Sequence, residues 1–497
     1  MSAISARRVE WSPAGTGLNG PRGWDDRSMV SSAWVLYLLF GGLILWWALG
    51  AGGYIQIIFG ALLLVAVIAR GQVRAPEGMG LYLGFLFWVL LSAIRVSGFE
   101  SWVAWTWRAL LYVSAVVIFL YVFNARRDRL SSAAVIKVLA LFWVMVVLGA
   151  FLGIAFPNLQ FNSVTAQVLP KHFVANGFVK AMVVPKAAEG KPFYGTSIRR
   201  PVAPFPYTNQ WGAAYVVSLP FAIGALGLLR SPLKRGLLFA LLFLSIVPLI
   251  FSFDRGAWLS TGAMLIYAMI RIARAKGGKW ARVAKVMLVA SILAGAILLL
   301  APLGDLILLR LNSGYSNENR AQLYTSSIHV VLSSPFIGYG SPVDRSVVGL
   351  TGAGADKASV GTHGQLWTIL VSQGIPGLLL FLSWFVYSLV QTGRRLPRGW
   401  GGDMYSRFWA NVAIFAALSE VVYYEWLPWG LFVVMAAIAV GWRETLVRST
   451  LPRPGRLDGG LVTAPRASPP ANLRPATLPN GPPGPGSIGS GPNPNNL

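Results

Sequence analysis

The chain has 497 residues, of which 55% are hydrophobic and only 12% charged, with a mean hydropathy of +0.59. A soluble fold of this length could not cover so much apolar surface, so the composition excludes a water-soluble enzyme and indicates a polytopic membrane protein. The net charge of +25 does not indicate nucleic acid, because the basic residues fall in short clusters between apolar runs, as cytoplasmic loops do.

Residues 1–30 are a polar N-terminal tail with Arg7, Arg8, Arg22 and Arg27. No small-residue cleavage site follows the first apolar run, so that run is expected to be a retained span. Apolar runs follow at about 33–49, 53–69, 80–94, 107–123, 133–156, 208–229, 236–252, 256–270, 284–301, 363–390, 408–424 and 427–442. Each needs roughly 17–25 residues to cross ~30 Å of hydrocarbon, which makes about twelve spans, the shorter ones borrowing from their flanks. Twenty Trp and sixteen Tyr suit a protein with many membrane–water boundaries.

With the N-terminus inside, basic clusters mark the inner turns: Arg70/Arg74, Arg126/Arg127/Arg129, Arg230/Lys234/Arg235, Arg271 to Arg282, and Arg394/Arg395/Arg398/Arg407. Two long connections, about 157–207 and 302–362, then lie outside. The expected organisation is an all-α membrane domain over 31–442, followed by a disordered cytoplasmic tail over 443–497 rich in Pro, Gly and Asn. There is no cysteine, so disulfides and thiolate metal sites are excluded.

The second long connection contains its own amphipathic segment, expected to lie in the interface with Leu323, Ile328 and Leu332 towards lipid. Ser316 or Asn317 can cap its start. Arg320 would then fall in the first helical turn beside free N–H groups, a setting that suits a phosphate. His363 is one of only three histidines and lies where this connection re-enters the membrane. A neutral imidazole there can take a proton from a hydroxyl, or it can simply hydrogen-bond the helix start. Arg255 sits in the tight turn Ser252-Phe253-Asp254-Arg255-Gly256, against the positive-inside trend. Its guanidinium can grip phosphate oxygens, pair with Asp254, or snorkel to headgroups. The Pro-stiffened segment from Ser197 to Gly212 brings Arg200 and Asn209 to the rim of the next span, as a substrate wall or as a stiff loop. Glu420 and Glu425 can orient a sugar hydroxyl or pair with an Arg. The outer residues contain no His/Asp/Glu cluster with metal-ligand spacing, so neither metal nor other cofactor is expected.

Three segments together carry a resemblance. Ser252-Phe253-Asp254-Arg255-Gly256-Ala257 resembles an S-x-S-R-G-A turn. Asn319-Arg320 with Ser334-Pro335-Phe336-Ile337-Gly338-Tyr339-Gly340 resembles an R…P-x-x-G-x-G segment. Thr362-His363-Gly364-Gln365-Leu366 with Gln373-Gly374-Ile375-Pro376-Gly377 resembles an H-N-x-x-L…G-x-x-G re-entry. They are the marks of the O-antigen ligase / O-antigen polymerase family of bacterial membrane glycosyltransferases. The likeness covers about 195–390, and Gly364 departs from the family's usual Asn.

The resemblance implies a GT-C-like membrane enzyme. It would transfer a glycan from a polyprenyl diphosphate to an acceptor glycan or lipid at the outer face of the cell membrane, with inversion and without metal. By the same resemblance His363 would be the base, and Arg255 and Arg320 would hold the diphosphate; Arg200, Asn209 and Glu420 are further candidates for binding substrate. The competing class is a transporter or flippase for a lipid-linked saccharide or small anion, which would need charged residues along a path through the bilayer. A membrane scaffold is a third class, in which Arg255, Arg320 and His363 would be replaceable.

Overall fold

Apolar stretches of this length must satisfy their backbone internally, and helices do so. The computed structural model describes residues 33–69, 71–193, 197–276, 282, 315–343, 359–394 and 403–449. Among the described residues the regular structure is helical, with only isolated β-bridges. The helices are α1 (Trp34–Gly41), α2 (Leu43–Ala48), α3 (Ile55–Ala69), α4 (Met79–Ser92), α5 (Phe99–Asn124), α6 (Ser132–Ala155), α7 (Val164–Val168), α8 (Lys171–Ala175) and α9 (Gly177–Val183). They continue as α10 (Thr208–Leu228), α11 (Pro232–Leu244), α12 (Ile246–Phe251), α13 (Arg255–Lys276), α14 (Tyr315–Ser333), α15 (Gln365–Gly393), α16 (Asp403–Glu420) and α17 (Trp429–Ser449).

Among the described residues, six helical stretches are long and apolar enough to cross a membrane: α5, α6, α10, the α11–α12 pair, α13 and α15. Ile55–Ala69, Met79–Arg95 and Trp429–Arg443 are apolar but shorter. The run expected at 33–49 is broken into α1 and α2 at Gly42. The run expected at 236–252 is broken at Ser245, because Pro248 has no N–H to offer the carbonyl of Leu244. Local signals set several starts. Ser131 accepts from the Ala134 N–H at 3.1 Å, and Pro232 occupies the first position of α11 behind Ser231. The expected span at 284–301 and both tails lie outside the described residues.

The core is aromatic at its centre. Phe381 on α15 meets Phe85 on α4 at 4.9 Å, Phe385 at 4.6 Å and Trp426 at 5.6 Å. At the end carrying the basic clusters, buried arginines close helix C-termini. Arg407 donates from Nε to the Thr392 carbonyl (2.8 Å) and from Nη2 to those of Gln391 (3.1 Å) and Arg394 (2.7 Å). Arg443 donates to the carbonyls of Ala125 (3.0 Å) and Leu130 (2.9 Å). The carbonyls of Gln391, Thr392, Arg394 and Ala125 lie at helix C-termini, where positive charge suits the negative end of the macrodipole, and that of Leu130 lies in the turn just before α6.

The first long connection is folded. Ser163 caps α7 by accepting from the Ala166 N–H at 3.1 Å. Antiparallel bridges pair Gln160 with Lys186 and Ala188 with Pro201. The connection is thereby folded back to the start of α10.

Candidate functional site

The tight turn between α12 and α13 is gripped from the first long connection. Phe253 has φ +49°, a left-handed conformation that costs a non-glycine residue roughly 1–2 kcal/mol. It is held there by stacking on Phe193, with ring centroids 4.5 Å apart and planes at 9°. Arg200 Nε donates to the Ser252 carbonyl at 2.6 Å. Arg200 Nη1 lies 4.0 Å from Glu189 Oε1, and the same oxygen accepts from the Thr208 hydroxyl at 2.9 Å. Arg200, the first turn of α10 with half-buried Asn209, and the turn leading to Arg255 therefore form one wall. Arg255 is the first residue of α13 and is half-buried.

Behind this turn lie two carboxyl groups. Asp254 is 2% exposed and Glu420, at the end of α16, is fully buried. Neither Asp254 Oδ2 nor either carboxyl oxygen of Glu420 has a hydrogen-bond partner among the described residues. The two are electrostatic neighbours. Glu420 thus sits beneath the Arg255 turn and does not reach the open surface. Among the described residues no group of three or more His, Cys, Asp or Glu could hold a metal ion.

His363 precedes α15 by two residues. Its Nδ1 lies 3.1 Å from the Thr362 hydroxyl oxygen, and that hydroxyl donates to the Ser359 carbonyl at 2.7 Å. Because the hydroxyl proton is already directed at Ser359, Oγ1 presents a lone pair to the ring. Nδ1 then carries the hydrogen, and Nε2 is the basic nitrogen. The start of α15 is fastened to the turn that follows α16. Gln365 N–H donates to the Tyr424 carbonyl (2.7 Å), and Leu366 N–H to that of Val421 (2.9 Å). Trp426 N–H donates to Gln365 Oε1 at 3.0 Å. Gly364 has φ +137°, and a Cβ there would fall 2.1 Å from the Val422 carbonyl oxygen. An Asn at 364 has no room in this arrangement.

The helix of the second long connection differs from expectation in two respects. It begins at Tyr315, so Ser316 and Asn317 lie inside it. Arg320 is its sixth residue, a turn beyond the free N–H groups. Leu323 is buried at 8%, while Ile328 (49%) and Leu332 (70%) face outward as expected. The inward face is Leu323, Ser327, Val330 and Val331, a helical repeat packed on α15. Tyr324 stacks on Trp367 of α15 at 4.7 Å.

The two glycine motifs form one joint. α15 is kinked at Gly374 (φ 69°, ψ −171°), and the backbone of 335–340 occupies the break. Tyr339 N–H donates to the Val371 carbonyl (3.0 Å), Gly340 N–H to Ser372 (2.7 Å), and Ile375 N–H to Pro335 (2.7 Å). A Cβ at Gly338 would strike the Ser372 backbone, and one at Gly374 the Phe336 carbonyl, each at 2.5 Å. Farther along, Val343 and Val360 exchange N–H···O bonds of 3.2 and 2.8 Å, which holds the stems of the intervening segment together just before His363.

The turn after α16 is where these parts meet. Tyr423 and Tyr424 lie over Gly256, next to Arg255, and the Tyr423 hydroxyl bonds that of Ser260 on α13. The same turn accepts the first N–H groups of α15, beside His363. One short segment thus anchors the helix starts that carry Arg255 and His363. The role of Tyr423 and Tyr424 had no sequence signal beyond their place at the end of an apolar run. Glu425 pairs with Arg108 of α5, Oε1 to Nε 3.6 Å. Arg108, a lone charge at the start of an apolar run, was the available clue to that pair.

Comparison with curated proteins returned no match. A family model described as O-Antigen ligase matches residues 213–382, from the first turns of α10, through Arg255, Arg320 and His363, to the aromatic core on α15. That stretch, about a third of the chain, is similar to the O-antigen ligase family.

Proposed function

We propose that this protein is a membrane glycosyltransferase that moves a glycan from a polyprenyl diphosphate to an acceptor hydroxyl, as a ligase or polymerase of surface polysaccharide. It works at the outer face of the cytoplasmic membrane, with both termini inside and about twelve spans in a GT-C-like arrangement. The acceptor oxygen attacks the anomeric carbon from the side opposite the diphosphate, so configuration inverts. The anomeric C–O bond breaks, its electron pair leaves with the diphosphate, and the acceptor proton passes to His363 Nε2. The leaving diphosphate is a stabilised anion, so cationic side chains replace both a general acid and a metal ion. Arg255 and Arg320 fill that role, and Arg200 and Asn209 shape the wall beside Arg255.

The observation that carries this reading is the shared anchor. The turn 421–426 fastens the helix starts bearing His363 and Arg255, and preorganised geometry of this kind lowers a barrier between two bulky partners. The test is transfer by the protein reconstituted in liposomes with a polyprenyl-diphosphate oligosaccharide. His363→Ala, eluting as a folded protein, is expected to lose about 10²–10⁴ in rate. Full turnover in that variant rejects His363 as the base.

A further inference from the structure

A buried amide at the start of an apolar helix is costly unless its polar atoms find partners. Gln365, two residues beyond His363, is fully buried, and its amide is satisfied from two other elements. Its Nε2 donates to the Tyr112 hydroxyl of α5 at 3.0 Å, and its Oε1 accepts from the Trp426 N–H at 3.0 Å. A leucine fills nearly the same space with no such demand, so packing alone does not call for the amide.

Tyr112 is a fixed post. It is fully buried, its ring centroid lies 5.0 Å from that of Phe85, and its carbonyl accepts from the Tyr82 hydroxyl at 3.3 Å. Arg108 lies one turn before it on the same face of α5 and pairs with Glu425, next to Trp426, at 3.6 Å. α5 therefore holds the junction from both sides: the turn after α16 through Glu425, and the start of α15 through Gln365. Arg108, Tyr112, Glu425 and Trp426 all lie outside the matched stretch 213–382. The backbone around His363 is tied as well. The Thr368 hydroxyl donates between the carbonyls of Gly361 (2.8 Å) and Gly364 (3.0 Å), one on each side of the imidazole. Where the ring stands is thus set by where the start of α15 rests.

We propose that Gln365 and Tyr112 are positioning residues of the transfer reaction, holding the start of α15 so that His363 Nε2 meets the acceptor hydroxyl; the proposal rests on the glycan-transfer reading above. Both side chains are fully buried and act only through the imidazole. A base misplaced by about 1 Å costs up to ~10² in rate, while donor and acceptor are held by other groups, so the loss falls on kcat and not on KM.

The liposome assay with the full-length protein tests this. Gln365→Leu is expected to lower kcat about tenfold with both KM values kept, and Tyr112→Phe about threefold. The two changes break one hydrogen bond in common, so the double variant should lose less than the product of the single losses. The pH profile should keep its wild-type midpoint, because the imidazole keeps its Thr362 partner and only its place changes. Gln365→Leu is then repeated in a His363→Ala background. With no imidazole to place, it is expected to cost less than about twofold. The same tenfold loss in that background, a wild-type kcat in Gln365→Leu, a raised KM with kcat kept, or a shifted midpoint each overturns the proposal. If Gln365→Leu does not fold, Tyr112→Phe, which removes a single oxygen, is read in the same background against the same outcomes. Full turnover in His363→Ala overturns the base assignment and this proposal with it; slow His363→Ala with equal losses in both backgrounds overturns the proposal alone.

Discussion

Thr362 sets which imidazole nitrogen is basic. Its hydroxyl donates to the Ser359 carbonyl and accepts from Nδ1 of His363, so it acts on the reaction only through the ring. Thr362→Val removes that acceptor while keeping the shape. One hydrogen bond contributes about 0.5–1.5 kcal/mol, so kcat is expected to fall roughly three- to tenfold, with KM little changed. Thr362→Ser is expected to restore the rate. A Thr362→Val enzyme with wild-type kcat and pH profile would show that the ring needs no such support. This partner was not legible in the sequence: a Thr before a His is common, and only the fold directs its proton elsewhere. His363 and Arg255 stand out in the sequence for a different reason: a lone imidazole at the end of a long polar connection and an arginine in a tight turn between apolar runs each break a strong expectation.

At the level of elements, two motifs that read as separate stretches prove to be halves of one joint. The break in α15 at Gly374 leaves backbone groups that the 335–340 segment satisfies, and α14 is thereby held against α15. Gly374→Ala sets a Cβ 2.5 Å from the Phe336 carbonyl at a positive φ. The expected loss is about 1–3 kcal/mol, measured as a lower midpoint of thermal unfolding in detergent. Gly338→Ala disturbs the same contact, so the double variant should lose less than the sum; strict additivity would separate the two glycines. The amphipathic period of α14 was legible and its outward face at Ile328 and Leu332 was correctly placed. The burial of Leu323 was not, since a face turned towards lipid and a face turned towards another helix are equally apolar. The helix start was also displaced, because the Ser and Asn that resemble caps lie inside it.

At the level of the molecule, the charge pattern that suggested an inner face has a structural counterpart. Arg407 and Arg443 are buried and cap helix ends, at the end where the sequence gathers its other basic residues. The membrane class was legible from composition alone. The count of spans was not, because several apolar runs are short or broken and lean on their neighbours. A chain without cysteine makes the orientation easy to test. Lys191→Cys, exposed in the first long connection, should react with an impermeant maleimide in spheroplasts. Arg230→Cys, exposed beyond α10, should react only after the membrane is opened. The reverse pattern would turn the site to the cytoplasm.

The clasp between Val343 and Val360 separates two kinds of change. Substitutions at Val343 or Val360 that keep the two backbone bonds leave the approach to the imidazole in place, whereas one that forbids them, such as Val360→Pro, which removes the N–H bound to the Val343 carbonyl, frees the backbone three residues before His363.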